Sequence, residues 1–443
     1  MKNKYTLPFI FIVSLCYFQF INAQIKEVKA ISANEFLNSL GVNSAIDSRG
    51  ENIDKTIECI KYLGVRWIRS GYENETTINN YKRLRNEAGV RLSYGLLSGG
   101  NDIKRLIDRA KEIATFDALL AIEGNNEPNN WGVIYQGEEG GGQKSWLPVA
   151  KLQKDLYATV KKDSVLKKYA VWSISENGAQ TDNTGLQFLT IPENAGTLMP
   201  AGTKFADYAN CHNYITHPSW SGLHNNQTWL SAAPGKSCPV DGLHGNYGLT
   251  WYKKFQGYSE EEQVGLPKVT TETGTVIDNV ITEEMQARLY ISLYLSQFKR
   301  GWKYTAIYLL RDRSDEDGNQ SFGFYQKDYT PRQSAHYLHN LTTILADRGK
   351  IKSLSKLAYS IPNQPETVHD LLLQTSDGTF KLIVWGERYA GGEDRIQIKL
   401  GKKFKTIKIY NPTKGTKETN ILNNADLIPL TMTTHPYIIE IGK

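Results

Sequence analysis

The chain has 443 residues, more than a single hydrophobic core usually serves, so one large domain with a smaller companion is expected. Hydrophobic residues at 40% and aromatics at 11% suffice to fill such a core. The formal net charge of +6 is small for this length and excludes any argument from charge for a nucleic-acid partner.

The first 23 residues, "MKNKYTLPFIFIVSLCYFQFINA", are basic at Lys2 and Lys4, apolar from Leu7 to Ile21, and reach a small residue at Ala23. This pattern predicts a secretory signal peptide over 1–23 and an exported protein, periplasmic or secreted. A membrane anchor is the alternative, but it needs ~20 apolar residues, so no membrane insertion is expected after cleavage. Leu15 precedes Cys16 where a lipoprotein signal would want a small residue. Cys59, Cys211 and Cys238 then remain. An oxidising compartment would permit a Cys211–Cys238 bridge, with three buried thiols as the alternative, and no cysteine spacing marks a metal site.

From residue 40 short apolar runs alternate with stretches of helical period. Strands are expected over 40–46, 65–70, 90–97, 118–125, 169–175, 206–214, 267–274 and 304–310. Helices are expected over 52–64, 76–88, 101–115, 148–163, 282–299 and 332–346, with the stretch between the fifth and sixth strands left undefined. Eight strands alternating with helices predict a (β/α)8 TIM barrel. The alternative, an open doubly wound sheet, lacks the GxGxxG fingerprint after its first strand. After residue 350 the runs are short, β-branched and alternating, as in "FKLIVWGE" and "YIIEIG", which predicts a small antiparallel β-sandwich. The expected organisation is therefore a signal peptide over 1–23, an α/β barrel over 24–348 and a sandwich over 349–443.

A barrel of this kind places its chemistry at the carboxyl ends of its strands. There stand Asn43, Arg69, Tyr94, Asn126 with Glu127, His212 with Tyr214, Glu272 and Tyr308. Two carboxylates, Glu127 after strand four and Glu272 after strand seven, are what glycosidic cleavage requires: one acid to protonate the leaving oxygen, one ionised group facing the anomeric carbon. Pro128, behind Glu127, is expected to end strand four and turn the acid outward. Glu123 lies four residues earlier, about 13 Å down the strand, and is expected to be a paired acid in the barrel interior.

"NEP" closing strand four and "TETG" closing strand seven resemble the clan A glycoside hydrolases, retaining (β/α)8 enzymes. The resemblance implies a general acid/base role for Glu127 and a nucleophile role for Glu272. It also implies that Asn126 binds the sugar 2-hydroxyl, that Arg69 in "VRWIRS" holds the nucleophile, and that in "HNY" His212 binds substrate while Tyr214 hydrogen-bonds Glu272. "GFYQKDYTPRQSAHYLHNL" (323–341) resembles the closing segment of barrels in this group. "LGVNSA", "LGVRWIRSG" and "AIEGNNEPN" are similar to bacterial barrels near family 39. The clan often closes strand eight with a Trp that floors the sugar site; Tyr308 stands there instead.

Each residue has a plainer reading. Glu127 could cap a loop, Arg69 could be a structural ion-pair partner, and His212 and Tyr214 could be satisfied core polar groups. Trp131, Trp220, Trp229 and Trp251 sit in or beside the loops after strands four and six, and some of them, Trp131 and Trp251 first, are expected to stack on sugar. The loop "RDRSDEDGNQSF" fails as an EF-hand at both ends, and His336 and His339 lack the spacing of a zinc protease motif. The expected protein is a retaining glycosidase acting on a poly- or oligosaccharide, needing no metal or organic cofactor. Its alternatives are a carbohydrate-binding barrel without turnover and a transglycosidase using the same two acids.

Overall fold

The computed structural model describes residues 25–442 apart from 73–75, 129, 143, 176–199, 201, 216–221, 234–265 and 348. The predicted signal peptide, Trp220, Trp251 and Cys238 therefore lie outside the described residues, while Cys211 is buried. Among the described residues no helix is long and apolar enough to cross a membrane.

Eight parallel strands form one sheet in the order six, seven, eight, one, two, three, four, five. They are Leu40–Asn43, Trp67–Gly71, Arg91–Leu97, Leu119–Asn125, Ala170–Trp172, Ala209–Cys211, Lys268–Thr270 and Trp302–Ile307. A parallel bridge between Trp172 and Tyr208 joins the fifth strand to the sixth and closes the barrel. Strands buried on both faces explain the near-continuous apolar runs of the sequence. The sixth, seventh and eighth strands end earlier than the expected 206–214, 267–274 and 304–310. Beyond Thr270 the backbone at the mouth is irregular, and side chains take over part of the bonding that a ladder would otherwise supply.

Side chains alternate across each strand, so every second residue enters the barrel. Trp67, Ala121, Trp172, Val269 and Ala306, with Tyr208 and Tyr304, make an aromatic plug. One residue pair further along the strands, the plug gives way to a polar layer of Arg69, Glu123, Asn210 and Thr271. Gly41 is required by the plug, since a Cβ there would stand 2.1 Å from the Trp67 ring. The helices follow their predicted positions. Ile53–Leu63, for example, is capped by the Asn52 side chain and stopped by Gly64 in a left-handed conformation (φ 73°).

The C-terminal strands form a second sheet, eight-stranded and mostly antiparallel, which draws in Lys26–Lys29 and Ile31–Ser32 from the start of the described chain. It is therefore not made of residues 349–443 alone. The 17-residue strand Asp394–Tyr410 pairs along most of its length with Glu418–Met432. A separate apolar core fills this sheet, including Leu382, Ile398, Ile407, Ile428 and Ile439. Alternate residues of the central strands, Ile383, Trp385 and Ile438, join the barrel's own core instead. Two-sided burial makes Phe380–Gly386 buried at all seven positions.

Candidate active site

Strand four ends at Asn125, and Asn126 bridges to Ser175 on the neighbouring chain segment. The turn that follows is made by Glu127 itself, whose φ of 43° lies in the left-handed region, not by Pro128 as the sequence suggested. Its N–H donates to the Ser175 carbonyl at 2.9 Å, and its own carbonyl accepts from Asn130 and Trp131 N–H groups at 2.8 and 2.7 Å. A non-glycine residue in this region is held there by its surroundings, a pattern concentrated at functional sites. Gly124 lies against the wall, where a Cβ would meet Gln153 Oε1 at 2.1 Å.

Arg69 is the hub beneath the mouth. Its Nε and Nη2 donate to Glu123 Oε1 at 2.9 and 2.6 Å, Nη2 also to Asn126 Oδ1 at 2.9 Å, and Nη1 to Glu272 Oε1. Glu272 Oε2 accepts from the Tyr214 hydroxyl at 3.1 Å. Burial pushes the Glu272 carboxyl above the usual range, while His212, Arg69 and Tyr214 act the other way. The Tyr214 phenol is pushed well up by burial and by the carboxylates around it, so it remains a donor.

His212 is fully buried, with Nδ1 2.7 Å from Glu127 Oε1 and Nε2 3.1 Å from Thr271 Oγ1. The proton count along this chain is constrained. Thr271 has one hydroxyl proton and two acceptors for it, Glu123 Oε1 at 2.9 Å and Asn210 Oδ1 at 3.2 Å. Its oxygen then accepts from His212 Nε2–H, which leaves Nδ1 bare in a neutral ring. Burial lowers His212 to about 4, so the ring is neutral at ordinary pH. His212 Nδ1 and Glu127 Oε1, 2.7 Å apart, are joined by one hydrogen bond. Sequence reading placed Glu123 in the interior but missed this relay, because Thr271 and Asn210 carry no motif of their own.

One oxygen of each carboxyl, Glu127 and Glu272, and a nitrogen of His212 lie within 4.8 Å of one another. Three such donors could face a small cation, but the Arg69 guanidinium on Glu272 opposes a second positive charge there. Above them opens a cavity of about 820 Å³ lined among others by Asn126, Asn130, Trp131, Tyr214 and Tyr308. Trp131 is 55% exposed and free to stack. Trp229 is not at the mouth: it stacks on His369 of the C-terminal sheet with centroids 4.0 Å apart. Tyr308 lines the cavity, with its hydroxyl accepting from Arg313 at 3.3 Å and its ring edge-on to Phe322. Arg49, Glu51 and Arg311 also reach the cavity and carried no sequence signal.

No protein-family profile and no curated protein sequence matches the chain. Solved structures do. A family 39 glycoside hydrolase from the gut symbiont Bacteroides cellulosilyticus aligns over 93% of this chain and 82% of its own, with a TM-score of 0.57 at 15% identity. The chain has the fold of these barrels. CelM2, a bifunctional glucanase-xylanase from a metagenome library, aligns over 94% of this chain and 97% of its own, with a TM-score of 0.57 at 11% identity. The catalytic domain of a family 30 xylanase C from Talaromyces cellulolyticus gives 95% and 98%, with a TM-score of 0.53 at 10% identity.

Proposed function

We propose that the protein is an exported glycosidase that cleaves O-glycosidic bonds, of β type, in a poly- or oligosaccharide with retention of configuration. The observation that carries this is the approach of the two carboxyls, with oxygens within 4.8 Å of one another. Retaining carboxyl pairs stand about 5 to 5.5 Å apart and inverting pairs ~6.5 Å or more; facing oxygens this close support the retaining arrangement.

Glu127, protonated against His212 Nδ1, gives its proton to the glycosidic oxygen as the bond from that oxygen to the anomeric carbon breaks. Glu272 Oε2, with Oε1 held by Arg69, attacks the same carbon and forms a glycosyl ester. Water then enters and its oxygen bonds to the anomeric carbon as Glu127 takes one of its protons and the ester bond breaks, so that Glu272 is again a carboxylate and the sugar leaves with its configuration restored. Asn126 Nδ2, now on Ser98 Oγ at 3.1 Å, is the donor best placed for a sugar hydroxyl, since its Oδ1 is taken by Arg69. Trp131 offers an apolar face at the rim.

The full chain incubated with activated 2-deoxy-2-fluoro β-glycosides and digested for peptide mass spectrometry should carry the sugar on Glu272. A panel whose members bind yet leave Glu272 unmodified would sink the retaining mechanism.

A further inference from the structure

Four arginines face the cavity, Arg49, Arg69, Arg311 and Arg313, and among the described residues only two of them have a carboxylate within ion-pair distance. Arg69 is matched by Glu123 and Glu272, and Arg313 by Asp315 at 2.6 Å and by Glu316. Arg311 is only 7% exposed, yet no carboxylate stands within ion-pair distance among the described residues. Its Nε and Nη1 donate to the carbonyls of Lys327 and Asp312 at 2.7 and 3.3 Å, and the guanidinium lies over Tyr329. The acids that feel its charge are committed elsewhere. Glu51 accepts from Ser44 Oγ, Thr56 Oγ1 and the N–H groups of Ala45 and Ile46, and Asp328 from Thr330.

Arg49 is exposed and forms no ion pair or hydrogen bond among the described residues. Glu51 folds the loop that carries it, and Gly50 (φ 84°) brings that loop against Arg311: a Cβ at Gly50 would stand 3.1 Å from Arg311 Nη1. The loop that carries Arg49 thus packs on Arg311 near the ends of strands one and eight, both arginines line the cavity, and strand eight adjoins the strand that leads to Glu272.

A buried cation without a counter-charge is costly, and a planar guanidinium pairs with two oxygens of one anion. We propose that Arg311 and Arg49 form a subsite for an anionic group on the sugar, the carboxylate of a uronic acid or a sulfate ester. That the ligand is a sugar rests on the glycosidase reading above; that it is an anion rests on these two side chains.

Titration calorimetry of the full chain carrying Glu127→Gln tests it, with uronate-containing oligosaccharides against their carboxyl-reduced forms and sulfated ones against their desulfated forms. In one of the two arms the acidic form should bind about tenfold tighter than its neutral counterpart, and that arm identifies the anion. Arg49→Gln, at an exposed position, should remove much of this preference, and Arg311→Gln the rest if that variant folds. Equal affinity for acidic and neutral forms, binding of neither, or a preference unchanged in Arg49→Gln would overturn the proposal. Turnover of neutral glycosides together with equal affinities defeats the subsite and leaves the glycosidase reading standing. Acid-selective binding by a chain whose native form turns over none of the panel does the reverse.

Discussion

Thr271 is a residue that no motif marks, yet its hydroxyl stands between His212 Nε2 and Glu123 Oε1 and so bears on which ring nitrogen carries the proton. Thr271→Val keeps the volume and removes the link. Its expected effect is a fall in kcat/KM of about tenfold, with the alkaline limb of the pH profile moving to lower pH because the proton on Glu127 is less well held. A uniform loss of activity with an unmoved profile would mean that Thr271 only supports the fold. That Glu127 and Glu272 lie at the barrel mouth was legible because both follow the ends of barrel strands. Arg69 was legible only as a partner of Glu272, and its simultaneous hold on Glu123 and Asn126 depends on the closed barrel. Whether Trp229 or Trp131 faces the cavity could not be read from the sequence, since both lie in segments that follow barrel strands, Trp229 in the short helix Gln227–Ser231, and only packing separates them.

At the scale of elements, the barrel and the C-terminal sheet meet at a buried carboxylate. Glu387 Oε1 accepts from Thr228 Oγ1, Ser296 Oγ and Trp385 Nε1, and Oε2 from the N–H groups of Thr228 and Trp229. No cation is within ion-pair distance among the described residues, and burial pushes the carboxyl above its usual range. Glu387→Ala would strand these donors in a dry interface, at a cost of ~3 to 5 kcal/mol by analogy with broken buried pairs. Urea unfolding should show it, and a loss below ~1 kcal/mol would mean that water replaces the carboxylate. Strand and helix order was legible from period alone. The ends of strands six to eight were not, because backbone groups at the mouth are satisfied by side chains from distant segments, as Asn213 O is by Thr273 Oγ1 at 3.0 Å.

For the whole molecule, two buried histidines and a half-buried one link stability to pH. Burial lowers His212 to about 4, His369 to about 3 and His435 to about 4. Each is neutral when folded, so below the ordinary value of ~6.5 the unfolded chain binds the extra proton. Their stabilising contribution is complete above that pH and is lost as pH falls towards the folded values. Glu51, Glu272 and Glu387, all raised by burial, act in the opposite sense, gaining as pH falls through their folded values. The clean expectation is therefore a difference between variants. His369→Phe keeps the ring on Trp229 and removes one titration, so its Tm should fall less than that of the native chain between pH 7 and about 4.5. Parallel Tm curves for the two proteins would show that His369 does not titrate on unfolding.

The sequence by itself determined the barrel, its strand order and the two acids at its mouth, because hydrophobic period and strand-end position are local signals that survive without coordinates. It also carried the two-residue alternation that sends Arg69, Glu123 and Thr271 inward. Tertiary structure alone decided what those inward residues do to one another: a carboxylate from strand four, a hydroxyl from strand seven and an imidazole from strand six become one proton chain only when the barrel closes. It alone decided, too, that strands from the start of the described chain complete the C-terminal sheet and that Arg311 has no carboxylate within ion-pair distance among the described residues. Hydrogen bonding and charge balance depend on distances across the fold, and no spacing along the chain encodes them.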